Sequence, residues 1–162
     1  MRARSAPGIL LVVLLVAGGA AAQAPSLEGT YRLVSRTLPD GKVLTPPDIT
    51  GLWTYTKTHR SFALVRKDAA GKVTSRTLVS TYTITPSEYA ETLVFHVRTD
   101  QIGGKESVYE LTGETRRAPV TVEGGLIQLK LPFEGMIPAR VEGNRITATS
   151  TTGGVDVWER VP

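Results

Sequence analysis

The chain has 162 residues, 19 Lys and Arg against 15 Asp and Glu, two histidines and no cysteine. The missing cysteine excludes disulfides, a thiol nucleophile and thiolate metal sites. It also excludes the lipid-anchoring cysteine that a bacterial lipoprotein carries just after its leader. The formal charge of +4 includes Arg2 and Arg4 at the extreme N-terminus. The remaining Lys and Arg are scattered without interleaved aromatics, so the composition does not indicate nucleic acid.

The N-terminus has the pattern of a secretory signal peptide: basic Arg2 and Arg4, the apolar run ILLVVLLV from Ile9 to Val16, then small residues. Ala20 and Ala22 place the cut after Ala22. The apolar run is short against the roughly 20 residues a membrane span needs. Segment 1–22 therefore reads as a leader and 23–162 as one exported domain, secreted or periplasmic, with no membrane span once the leader is removed.

Beyond Gln23 no long stretch has apolar residues at helical spacing. Short runs of period two alternate with turn residues, the pattern of half-buried strands. GTYRLVSR (29–36) is the first run, followed by a turn-rich connection containing Asp40-Gly41 and Pro46-Pro47. LWTYTKT and RSFALVRK read as a hairpin around Thr58 and His59, and the segment from Val73 to Thr85 as a long strand.

TPSE (85–88) has the form of a capping box, with Thr85 at the cap and Glu88 three residues later. The β-branched and aromatic residues after it favour a tight turn and a strand over 89–97. Alternation there puts Tyr89, Glu91, Leu93, Phe95 and Val97 on one face. ESVYELT, APVTVE, LIQLKL, NRITATS and VDVWERV complete the series, separated by Gly-containing turns. This is an all-β chain of about 8–10 antiparallel strands, a barrel or a sandwich.

No nucleophile elbow, P-loop or dinucleotide fingerprint is present, so no cofactor and no catalytic set is assigned. A metal would need His59, His96 and a carboxylate such as Glu91 together; none is assigned. Glu91 has two readings. Either it lies where its strand face meets water, or it points inward and needs a partner, because an unpaired buried carboxylate is too costly to persist ionised. His59, Arg66 and Arg160 are the candidate partners. His59 is either an exposed turn residue or a rim residue beside Glu91 or Tyr82, able to titrate near neutral pH.

LEGTYRLVS (27–35), YTKTHRSFALV (55–65), STYTITPSEYAETLVFHV (80–97), IGGKE and the closing VWERV resemble blocks of the lipocalin-like domains of bacterial secreted proteins. Tyr31 stands where that pattern has tryptophan, and Ser80 where it has glycine. The resemblance implies an up-and-down barrel over 23–162 but no particular activity. It also implies that Tyr31, Trp158 and Arg160 close the barrel, with Arg160 over the Tyr31 ring, a cation–π contact worth roughly 0.5–2 kcal/mol. Segment 116–138 is longer than the usual connection, which suggests an extra hairpin or a lid.

Three functions follow as expectations. The first is binding of a small, partly apolar molecule inside the barrel, with Tyr55, His59, Tyr82, Tyr89 and Glu91 as candidate ligand-binding residues. An interior filled with aromatics would exclude it. The second is a solid-cored structural or interaction module, marked by an exposed apolar patch or open sheet edge. The third is a barrel enzyme with Glu91 or His59 as acid or base. The oligomeric state is not legible.

Overall fold

The computed structural model describes residues 25–162; the expected leader and its cut lie outside them. The described chain is all-β. Its strands are β1 (Gly29–Thr37), β2 (Val43–Leu44), β3 (Ile49–Tyr55), β4 (His59–Lys67), β5 (Val73–Ile84), β6 (Glu88–Asp100), β7 (Lys105–Glu110), β8 (Thr115–Glu123), β9 (Leu126–Leu131), β10 (Ile137–Glu142), β11 (Arg145–Thr149) and β12 (Val155–Arg160). A single 3-10 turn, Pro132–Glu134, interrupts the series.

Ten of these strands form a closed antiparallel up-and-down barrel, in the order β1, β3, β4, β5, β6, β8, β9, β10, β11, β12, with β12 returning to β1. Tyr31 pairs with Arg160 and Leu33 with Trp158 across that seam. β2 is a two-residue pairing on β1, and β7 pairs only with β6. Segment 116–138 is therefore wall, not lid: it supplies most of β8, all of β9 and the start of β10. Closure removes every free edge except at these appendages. β7 is the exposed one, with Tyr109 70% accessible beside the charges of Lys105 and Glu106, and Leu111 just after it 77% accessible.

The up-and-down order sorts the connections between two ends. The first end carries Leu27 and the tight turns 56–58, 85–87, 124–125 and 143–144. The second carries the connections 38–48, 68–72, 101–104, 132–136 and 150–154, while 111–114 links β7 to β8 beside the middle of β6.

Alternation fills the interior. In β4, Arg60, Phe62 and Leu64 are buried while Ser61, Ala63 and Val65 are exposed. β6 breaks this parity. Val79 pairs with Phe95 and Ser80 with Leu93, so Val94 is an extra residue without an opposite. One inserted residue reverses the facing of everything after it. Glu91 and Leu93 point inward before the bulge and His96 points inward after it, so Phe95 and Val97 do not share the face of Glu91 as strict alternation predicts.

The aromatic interior explains one glycine. Gly51 faces the Trp158 ring, and a Cβ there would lie 2.7 Å from Trp158 Cη2 and 2.8 Å from the Ala63 carbonyl oxygen. Trp158 is fully buried against Trp53 and Phe62, with ring centroids 5.6 Å from each, so it has little room to yield. Gly51→Ala is expected to destabilise the barrel by about 1–3 kcal/mol, the cost of overpacking a tight core. A lower urea midpoint with unchanged slope is the expected result; an unchanged midpoint would mean that Trp158 moves aside freely.

Candidate functional site

Half-way along the barrel lies a buried ion cluster. The Arg60 Nη1 donates to Glu91 Oε1 at 2.8 Å and to Glu134 Oε2 at 3.3 Å, and Nη2 donates to Glu134 Oε1. The Ser80 hydroxyl donates to the same Glu91 oxygen at 2.5 Å. Arg60 and Glu91 are wholly buried. Three elements place the cluster: β4 supplies Arg60, β6 supplies Glu91, and the 3-10 turn between β9 and β10 supplies Glu134. That turn folds inward through Gly135 and Met136, both at positive φ (85° and 59°), and is pinned by Met136 N–H donating to the Leu131 carbonyl at 2.9 Å.

The two carboxylates do not titrate alike. Burial pushes Glu91 upward, and the Arg60 charge and the Ser80 hydrogen bond only partly offset it, leaving Glu91 above the usual carboxylate range. Burial also acts on Glu134, but attraction and hydrogen bonding from Arg60, with Arg76 and His96 behind it, hold Glu134 below that range. Arg60 is itself penalised by burial, yet the two glutamates keep it firmly charged. Its guanidinium lies 4.8 Å from the Trp53 ring centroid and 5.7 Å from that of Phe62.

Inward-pointing Glu91 thus has a partner, but it is Arg60 and not His59, Arg66 or Arg160. Arg60 was legible in principle, because it shares the period-two face of Phe62 and Leu64. The turn residue Glu134 left no signal of periodicity at all.

The other sequence candidates take up different places. Tyr55, Tyr82 and Tyr89 pack together towards the first end, with centroids 5.2 Å and 5.7 Å apart along the chain of contacts. Tyr82 donates to the Thr56 carbonyl at 2.6 Å, and burial raises its pKa to about 12. Burial likewise raises Tyr55 and Tyr89, so all three phenols stay neutral. His59 is exposed at the start of β4, its Nδ1 2.8 Å from the Thr58 hydroxyl. At the barrel seam Arg160 sits 5.3 Å from the Tyr31 ring centroid and donates to the Tyr31 hydroxyl at 2.9 Å and the Glu28 carbonyl at 2.6 Å.

The aromatics fill the first half of the barrel and leave the second half open. A cavity of about 250 Å³ remains there, floored by Trp53, Phe62 and Trp158 and walled by Leu64, Leu131 and Ala148. Arg36, Arg66, Arg76, Glu134 and Asp156 bring charge to it. A second recess of about 280 Å³ continues it, sharing Arg36, Leu64 and Arg76. None of Tyr55, His59, Tyr82, Tyr89 or Glu91 lines either space. Compared with models of protein families, with curated proteins and with solved structures, the chain matches none. Site geometry alone therefore carries the functional argument.

Arg60 forms the ion pairs of both buried carboxylates. Arg60→Leu is expected to cost about 3–5 kcal/mol, the cost of stranding buried charge. The triple variant Arg60→Leu, Glu91→Gln, Glu134→Gln should recover much of that loss in denaturant titrations. If the triple variant is no more stable than the single one, packing against Trp53 and Phe62, not charge, accounts for the effect.

Proposed function

We propose that this is an exported β-barrel protein that binds a small, partly apolar molecule in the cavity at its second end. The single observation behind this reading is a cavity with an aromatic floor and walls of mixed polarity in an otherwise filled barrel. Binding sites are concave and mostly apolar, with a few convergent polar groups, and this one combines indole and phenyl faces with arginines. Its volume lies just under the roughly 300–1,000 Å³ of sites for drug-sized ligands, so the ligand is small. The lipocalin-like resemblance and the leader motif agree with this reading.

Catalysis has less support. Glu91 is sealed between Arg60, Ser80 and the aromatics, with no open space beside it, and His59 stands on an exposed turn away from the cavity. An acid or base must reach its substrate. The interaction-module reading rests on the free edge of β7, whose charged residues discourage edge pairing.

Ala148 is buried in the cavity wall, 3% accessible, and a larger side chain there would occupy the space. Native mass spectrometry of the protein, purified gently from the exported fraction of its host, is expected to show an extra mass that denaturation releases. Ala148→Phe should melt within a few degrees of the parent and lose that mass. Retention of the mass by the Phe variant would place the ligand elsewhere; a bare parent protein that also fails to take up any small apolar probe would sink the reading.

A further inference from the structure

We infer that the ligand carries an oxyanion, a carboxylate or phosphate on a short apolar tail, and that Arg76 is the residue that receives it. The inference rests on the cavity being the binding site and adds the class of ligand.

Most of the charge around the cavity is already matched. Arg36 is held side-on by Asp156, Nε to Oδ1 at 2.5 Å and Nη2 to Oδ2 at 2.6 Å. Arg98, on the second recess, donates to Glu110 at 2.7 Å. Glu134 is bound to Arg60. Asp100, the carboxylate of the second recess, accepts the Gly103 amide at 2.8 Å in its own turn.

Arg66 and Arg76 remain. Among the described residues neither forms an ion pair or a side-chain hydrogen bond. Arg76 is half-buried, and its Nε is sealed from water without an acceptor. It stands where the two recesses meet, since it lines both. Burial weakens its hold on its proton, and the attraction of Glu134, already bound to Arg60, only partly offsets this.

The floor repeats the pattern. The indole nitrogens of Trp53 and Trp158 are also buried donors without acceptors. Three residues lining one cavity thus each carry an unmatched N–H, and a buried N–H left unsatisfied is unfavourable. These nitrogens are sealed from the cavity itself, so the feature a ligand can answer is the unpaired charge of Arg76, which an anion matches and a cation or a hydrocarbon does not. Guanidinium binds carboxylate and phosphate through paired hydrogen bonds, which an ammonium cannot reproduce. The apolar floor and Leu64, Leu131 and Ala148 then take the tail. At about 30 Å³ per water, the first recess has room for roughly eight water volumes, enough for a short chain and not for a long one.

Octanoate, octyl phosphate, octanol and octylamine serve as probes of matched tail and different head, with binding followed by titration calorimetry and by tryptophan fluorescence at low salt. Octanoate or octyl phosphate should bind at least about tenfold more tightly than octanol, and octylamine should bind least. The ratio of octanoate to octyl phosphate identifies which oxyanion the site prefers. Arg76→Gln should remove the preference for the charged head while leaving octanol binding unchanged, and Arg76→Lys should restore only part of it. Octanol binding as tightly as both anions, or an anion preference that survives Arg76→Gln, overturns the oxyanion assignment and leaves the cavity reading standing. Failure of all four probes to bind overturns both.

Discussion

The Arg60 guanidinium is the point on which this barrel is organised. A positive charge in a β-barrel interior must be answered by negative charge and by polarisable surface, because its removal from water is otherwise too costly. Glu91 and Glu134 give the first; Trp53, Tyr55 and Phe62 give the second. These contacts tie together parts of the chain that sheet pairing alone would not. β4 and β6 are separated by β5, and the 3-10 turn reaches in from the opposite side of the barrel. A wall of hydrogen-bonded strands fixes neighbours; this cluster fixes strands that are not neighbours.

The cluster also determines where space is left. Towards the first end, the tyrosines pack against one another behind Arg60 and close that half. Towards the second end, Glu134 takes the path down into the barrel and the 132–136 turn leaves the mouth partly open. The cavity is bounded below by the same Trp53 and Phe62 that hold Arg60, so its floor is stiffened from beneath by a charge network. A rigid, preformed floor lowers the ordering cost of binding. Inward aromatics fill one half of the barrel and leave space in the other.

Much of this architecture is legible in the sequence. The period-two runs in RSFALVRK, LIQLKL and VDVWERV correspond to β4, β9 and β12, because each is a strand with one dry face. The capping-box pattern at Thr85 is a turn: Thr85 Oγ1 accepts the Glu88 amide at 2.9 Å, which serves a hairpin as well as a helix. What escaped has physical causes. β10 opens on Ile137 and Pro138 directly after a glycine-containing turn, so its start looks like loop. The bulge at Val94 carries no distinctive residue, since valine suits a regular strand equally well, yet it exchanges the faces of Phe95 and His96. Glu134 lies on a turn, where no periodicity exists to assign a side chain inward. The candidate ligand residues lie within the strongest strand patterns, and those patterns mark the best-packed half of the barrel. The open half is lined by arginines and small residues whose role depends on which partners they lack.

That last point separates structural charge from functional charge here. Arg36, Arg60 and Arg98 look alike in sequence to Arg66 and Arg76, and all five lie on strands. The first three end on carboxylates, and their geometry is accounted for by the fold. Burying a guanidinium without a partner gives the fold nothing, because the group loses water and gains no ion pair. Arg76 stands at the junction of two recesses over an aromatic floor, and under the proposed function that cost is recovered when an anion arrives. The charge of Arg76, left without an ion pair among the described residues, is therefore the observation on which the proposed oxyanion ligand rests.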